Sequence, residues 1–281
     1  MSFSKTARLC VEVIGAVEEG ENVLIVTDVD TSPRIASALF EATEVIGGIP
    51  TIMTIPKPPY AGDCPLPRVL ADAIESADAV FLATSRTIFH AKAIEEALEN
   101  TRVISIPGDP GPLERQFYEG AMQADVQEVL SLSKKAVAAF NKNGKVRITT
   151  EFGTDVTFNV IESDPYTLIE KPCVRGSNRI EDHMAFFPLG EAFFRFEQTS
   201  VNGTVVIDTY MVNVGPIHTP LRLDVKNGRV VEISGGAEAD QLKRILDRYG
   251  DEGAYKIGEW ALGTNPETII MGTNGEDKKY L

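Results

Sequence analysis

The sequence predicts an α/β protein: an open parallel sheet with helices on both faces, flavodoxin- or Rossmann-like, over residues 1–143, followed by a β-rich domain over residues 144–281. Three observations predict this. Apolar, β-branched runs alternate with helical-period segments through the first half. After Asn143-Gly144 the pattern changes to short alternating runs bounded by turn residues. A chain of 281 residues with 43% hydrophobic content is also large enough for two cores.

The elements follow in order. Lys5 to Val17 carries Ala7, Leu9, Val11, Val13, Ile14 and Val17 in a mixed pattern that reads as a helix ended by Gly20. Val23-Leu24-Ile25-Val26-Thr27 is a run of the kind covered on both faces of a parallel sheet. From Ser32-Pro33 to Val45, Ile35, Ala38, Leu39, Ala42 and Ile46 recur at helical spacing, with Pro33 in the first turn and Gly47-Gly48 closing the helix. Pro50 to Ile55 is the next strand, so this stretch is a βαβ unit with a right-handed crossover. The pattern recurs: Pro65 to Ser76 helical, Ala79 to Ala83 a strand, Ala91 to Leu98 helical, Arg102 to Ile106 a strand. Gln116 to Asn141 reads as one long helix, and its end at Asn143-Gly144 marks the boundary.

In the second half, Val146–Thr150, Asp155–Val160, Ala192–Phe196 and Thr204–Asp208 read as strands. Asn202-Gly203 and Asn227-Gly228 are two-residue hairpin signals, the second flanked by Leu221–Val225 and Arg229–Ile233. Ala239 to Tyr249 is helical, with Leu242, Ile245 and Leu246 on one face.

The formal net charge of −14 argues against a nucleic-acid partner, whose phosphates need clustered Lys and Arg. Cys10, Cys64 and Cys173 are odd in number and widely spaced, which supports neither a disulfide framework nor a zinc knuckle. The first ten residues lack the apolar core of a signal peptide, and no run approaches a membrane-spanning length. The expected compartment is the cytoplasm.

Several residues are candidates for chemistry. Ligands in open α/β sheets bind beyond the C-terminal strand ends, here Asp28–Ser32, Thr84–Thr87 and Pro107–Gly111. Arg86 could hold an anion there, while Asp30, Thr31 or Ser32 equally suit a helix cap. No Gly-x-Gly-x-x-Gly and no phosphate loop is present, so no nucleotide is expected. His90, His183 and His218 form no zinc-binding helical pair; His90 reads as a cap or packing residue, and His183 or His218 could reach a site. No Gly-x-Ser-x-Gly elbow supports nucleophilic catalysis. The strongest candidates are Glu191 and Glu259, each following a glycine within an apolar run. A carboxylate in such a setting asks for a partner, and two of them suggest one shared divalent cation. The competing reading is that each Glu accepts from backbone amides in a tight turn or pairs with an Arg.

Residues Pro188-Leu-Gly-Glu191-Ala, Asn202-Gly-Thr-Val-Val-Ile-Asp208, Gly215-Pro-Ile217, Asn227-Gly-Arg-Val-Val-Glu232 and Ile257-Gly-Glu259 with Gly263-Thr-Asn265-Pro266 resemble, in order and spacing, the aminopeptidase T family of metallopeptidases (thermophilic or leucyl aminopeptidases) and the related dihydroxypyridine ring-cleaving dioxygenases. The resemblance implies an N-terminal α/β domain, a β-rich metal-binding domain, a homodimer and a pair of divalent ions, with Glu191 and Glu259 matching two metal ligands. The family's remaining ligands and catalytic tyrosine belong to a later His-, Tyr- and Asp-rich segment, expected just after Leu281, so Tyr280 does not match that tyrosine. The first expectation is therefore a metal-dependent aminopeptidase-like hydrolase using Zn, Co or Mn on peptides. The second is an Fe(II)-dependent dihydroxypyridine-type ring-cleaving dioxygenase acting on a small molecule. The third is a non-catalytic, metal-poor relative serving as a binding or assembly module.

Overall fold

The computed structural model describes residues 2–106 and 114–280. The predicted loop Pro107–Gly111 lies outside the described residues. The chain is α/β, as its sequence pattern predicts, and divides into two compact units that are discontinuous in sequence. One comprises Met1–Ser131, Glu170–Gly190 and Gly263–Leu281; the other comprises Leu132–Ile169 and Glu191–Leu262. A single cut near residue 143 does not describe this routing, because two later stretches return to the first unit.

The first unit opens with α1 (Phe3–Arg8), which continues through one π-helical stretch, Leu9–Ile14. The helix stops at Gly15, earlier than Gly20: a Cβ at Gly15 would lie 2.7 Å from Phe81 Cζ, so only glycine lets the helix end approach the sheet this closely. Then come β1 (Asn22–Asp28), α2 (Pro33–Val45), β2 (Ile49–Ile55), α3 (Arg68–Glu75), β3 (Ala79–Ala83), α4 (Lys92–Ala97) and β4 (Arg102–Ser105). Ser32 Oγ accepts from Arg34 N–H at the start of α2, the capping role expected for that loop.

The predicted helix Gln116–Asn141 is interrupted. Short 3-10 turns at Glu114–Phe117 and Ala121–Gln123 flank Gly120, whose φ of 81° ends any regular helix. The helix proper, α5, runs over Val126–Phe140, with Asp125 Oδ1 accepting from Glu128 N–H at 2.9 Å.

All five strands of the first unit's sheet are parallel, in the order β2-β1-β3-β4-β7 once two strands of the other unit, β5 (Gly144–Thr149) and β6 (Asp155–Val160), are counted, with β7 at Met184–Phe186. Strand β7 contributes three residues, too few to show a period. Its neighbour β4 fixes it, with Val103 opposite Met184. Alternation along β1 splits the core: Val23 and Ile25 join Leu39, Phe81 and Phe117 on one face, while Leu24 and Val26 join Leu70, Ile74 and Ile94 on the other.

In the second unit, β8 (Glu191–Phe194), β9 (Asn202–Ile207), β10 (Tyr210–Met211), β11 (Gly215–Pro216), β12 (Leu221–Lys226) and β13 (Arg229–Ser234) follow β6, then α6 (Ala237–Arg248) and β14 (Trp260–Gly263). The main sheet is antiparallel, β13-β12-β9-β6-β5. Asn227 (φ 50°) and Gly228 (φ 75°) make the expected β12–β13 hairpin. Asn202-Gly203 does not turn. Gly203 lies inside β9 with φ 127°, where a Cβ would meet the Asp155 carbonyl and approach Val156 Cα to 2.9 Å, so this glycine marks a close strand crossing. The core gathers Phe158, Leu221, Leu223, Val225 and Leu242. Trp260 packs between Phe158 (4.6 Å) and Phe194 (4.5 Å). The final helix, α7, covers Asn274–Asp277 of the first unit. Among the described residues, no helix is long and apolar enough to cross a membrane.

Candidate functional site

Glu191 opens β8 and is 5% exposed, whereas Glu259 directly precedes β14 and is exposed. These two strands pair with each other. Thr264 N–H donates to Gly190 O (2.8 Å) beside one end of the pair, and the Trp260 ring contacts Phe194 at the other, so the strands run antiparallel. Glu191 and Glu259 therefore belong to opposite ends of the ladder. Among the described residues, no group of three or more His, Cys, Asp and Glu side chains is placed to hold a metal ion. The described donors do not by themselves make up a dinuclear or facial metal set.

The two motifs that carry these glutamates nevertheless meet, through their backbones. Gly190 has φ 136°, and a Cβ there would lie 2.5 Å from Asn265 Cβ. Asn265 is 1% exposed; its Nδ2 donates to Leu189 O (2.8 Å) and Ala121 O (3.0 Å), its Oδ1 accepts from Glu267 N–H, and its own N–H donates to Lys279 O (3.0 Å). Asn265 thus joins three separated stretches of the first unit.

Around it lie buried charges that sequence reasoning missed. The Glu170 carboxylate accepts from Gly190 N–H at 2.9 Å and forms an ion pair with the Lys279 ammonium, the two side chains being 1% and 0% exposed. Glu276 is 0% exposed; its Oε1 accepts from Ala121 N–H (2.6 Å) and Ile269 N–H (3.3 Å), and its Oε2 from Gln116 Nε2 (3.4 Å). No periodicity signals the Lys279, Ala121 and Gln116 partners, because they stand 109 to 160 residues from the carboxylates they meet.

Burial pushes the Glu276 carboxyl above the ordinary carboxylate range, opposed in part by the Ala121, Ile269 and Gln116 donors. A carboxyl raised in the folded state contributes stability that is complete below its unfolded pKa and is lost as pH rises through the folded value. Glu276→Gln removes this loss. Urea midpoints measured from acid to neutral pH are expected to show the variant gaining on the parent as pH rises; a difference that stays constant or shrinks with pH contradicts the assignment.

The described contacts of the three histidines lie within their own units. His183 is buried, with Nδ1 2.7 Å from Leu98 O and Nε2 2.9 Å from Ser177 O, so both nitrogens are engaged by main-chain carbonyls. His218 is exposed and its N–H donates to Glu238. His90 is exposed beside Phe89.

The loops at the C-terminal ends of the parallel strands form the second candidate. Asp28, 2% exposed, ends β1. Its Oδ1 accepts from Asp30 N–H, Thr31 N–H and Thr31 Oγ1, and its Oδ2 from Ser85 N–H and Ser85 Oγ, both at 2.7 Å. Five donors occupy this carboxylate with ties between the β1 and β3 loops, where the strand order reverses. Arg86 Nη1 donates to Pro58 O (3.0 Å) and Pro59 O (2.5 Å). Beside it, Ile55, Pro58, Cys64, Leu66, Pro67 and Ile88 line a pocket of about 120 Å³, below the roughly 300 Å³ from which small-molecule sites usually start.

The fold and these sites define a two-unit α/β protein. The chain belongs to the NicX family, 2,5-dihydroxypyridine 5,6-dioxygenase, whose model matches residues 3–279. The solved 2,5-dihydroxypyridine dioxygenase of Pseudomonas putida KT2440 is similar at TM-score 0.70 and 18% identity, over 95% of this chain and 78% of that one. Wild-type AmpT of Thermus thermophilus is similar at TM-score 0.61 and 17% identity, over 92% and 77%. At these identities the likenesses show the fold. No curated protein matches the chain. Both relatives expected from the motifs are thus present, but the family match is to the dioxygenase and not to the aminopeptidase placed first from sequence.

Proposed function

We propose that this protein works as an Fe(II)-dependent dioxygenase that opens the ring of a dihydroxylated pyridine. The observation that carries the reading is the family match across residues 3–279, supported by the structural likeness to the Pseudomonas putida enzyme. Bound Fe(II) would supply the redox chemistry. Glu191 and Glu259 are the carboxylates that the motif resemblance offers to the metal, and the described residues do not complete the set.

A metal-dependent aminopeptidase using Zn, Co or Mn is the second reading, favoured by the likeness to AmpT. Oxygen-electrode assays with 2,5-dihydroxypyridine, on protein loaded anaerobically with Fe(II), separate the two. Expected is oxygen uptake that depends on Fe(II), with loss of the ring's ultraviolet band. Amino-acid release from dipeptides with Zn, Co or Mn, and no oxygen uptake, would instead establish the second reading. Inertness in both assays leaves a non-catalytic relative. Glu191→Gln and Glu259→Gln are each expected to lower metal retained after dialysis, and unchanged retention removes that residue from the site.

A further inference from the structure

The segment between β2 and α3 is rich in proline: five of the twelve residues 56–67 are Pro56, Pro58, Pro59, Pro65 and Pro67. Each ring fixes one φ, so the segment has little backbone freedom left to lose when something binds against it. Hydrogen bonds hold it further. Arg86 Nη1 donates to the Pro58 and Pro59 carbonyls, Gly62 N–H donates to Thr87 O (2.9 Å), and Cys64 N–H donates to Gly62 O (3.0 Å). Pro58, Ala61 and Cys64 are buried, so the segment is seated against the residues that follow β3. Both stretches leave the C-terminal ends of parallel strands, the end at which open α/β sheets take ligands.

The pocket of about 120 Å³ beside Arg86 shares Cys64, Pro65 and Leu66 with a second cavity of about 510 Å³. This second cavity falls within the roughly 300–1,000 Å³ range of small-molecule sites. Tyr60 and Asp63 extend its wall on the proline-rich side, and Lys92, Ala93 and Glu96 of α4 line the other side. All of these residues belong to the first unit.

The charges around the cavity do not cancel. Lys92 is ion-paired with Glu96 at 3.4 Å, one turn along the same helix. Asp63 is exposed, and among the described residues no Lys or Arg is ion-paired with it. One negative charge is therefore left over, in a cavity that also holds the half-buried Tyr60 ring and the apolar Leu66 and Ala93 side chains. An ammonium group suits this setting, since a carboxylate pairs with it and an aromatic face attracts it. A metal ion does not, because it needs several donors, and among the described residues no group of three or more His, Cys, Asp and Glu is placed to hold one. The net charge of −14 adds a general pull on cations.

We propose that this cavity binds a small organic cation, an amine with an aromatic body, with the ammonium on Asp63 and the body against Leu66 and Ala93 beside Tyr60. The site does not depend on the activity proposed above: it is built from the first unit, whereas Glu191 and Glu259 belong to the second.

Ligand-observed NMR tests this, with 2-phenylethylammonium chloride as the probe and 3-phenylpropionate and 3-phenylpropanol as its anionic and neutral counterparts. The parent protein is expected to bind the cation saturably with a Kd of about 1 mM or tighter, and the other two at least about threefold more weakly. Added NaCl should weaken the cation and leave 3-phenylpropanol unaffected. Asp63→Asn, an exposed change that conserves shape, is expected to weaken the cation about three- to fivefold, the scale of a solvent-accessible ion pair, and to spare the neutral compound. Ala93→Phe, which puts a ring into the cavity from a half-exposed position, is expected to abolish binding of both, with circular dichroism that matches the parent's. No saturation by about 20 mM overturns the proposal, as does equal binding of the three compounds. So does a folded Ala93→Phe variant that binds the cation as tightly as the parent. If Ala93→Phe misfolds, Asp63→Asn decides: an unchanged affinity for the cation rejects the site.

Discussion

Replacing Lys279 with alanine is expected to cost about 3–5 kcal/mol of stability, the usual penalty for removing one member of a buried ion pair. The Lys279 and Glu170 side chains are 0% and 1% exposed, so the substitution strips the carboxylate of its countercharge where water cannot replace it. The loss should be largely recovered in Lys279→Met combined with Glu170→Leu, since apolar residues of similar volume often replace a buried pair at little cost. Denaturant titration of the parent and the two variants checks this. A single-variant loss below about 1 kcal/mol, the range of exposed pairs, would show that the pair is hydrated and not buried.

Gly190→Ala is the second large effect. At φ 136° a side chain is strained by about 1–3 kcal/mol, and the crowding against Asn265 adds about 1–3 kcal/mol of overpacking. A total of about 2–6 kcal/mol is expected, from about 1–3 for each contribution. Because Glu191 is the next residue, any role it has in metal binding should fall with it. Gly258→Ala is the control. Gly258 has no positive φ and no atom within 4 Å of an added Cβ, so its substitution is expected to change stability by no more than about 0.5 kcal/mol. Equal effects at the two glycines would refute the packing argument.

The parallel sheet was legible because β1 and β3 hold continuous apolar runs, Val23–Val26 and Ala79–Ala83, and the helices between the strands keep their period. Strand β7 was not, since three residues carry no period and its place depends on β4. The Asn202-Gly203 signal misled for a physical reason: glycine serves a turn and a close strand crossing equally well, and only Asp155 and Val156 across from it tell the two apart. At the candidate sites, the link between the Leu189-Gly190 and Gly263–Asn265 stretches was visible as two similar motifs, but its nature was not. The sequence suggested a shared cation, whereas the described contacts between the motifs are the Thr264–Gly190 and Asn265–Leu189 hydrogen bonds. Glu170, Glu276 and Lys279 resemble solvent-facing charges until their distant partners are known.

The discontinuous routing of the chain has a consequence during synthesis. Residues 132–262, which hold all of the second unit, leave the ribosome before the segment carrying Asn265, Glu276 and Lys279, whose buried bonds close the first unit. Nascent domains generally mature from the N-terminus onward. In this protein the unit that starts first closes only after the second unit has been made, and its early strands must wait, with Glu170 still lacking its cation, until Asn265, Glu276 and Lys279 emerge.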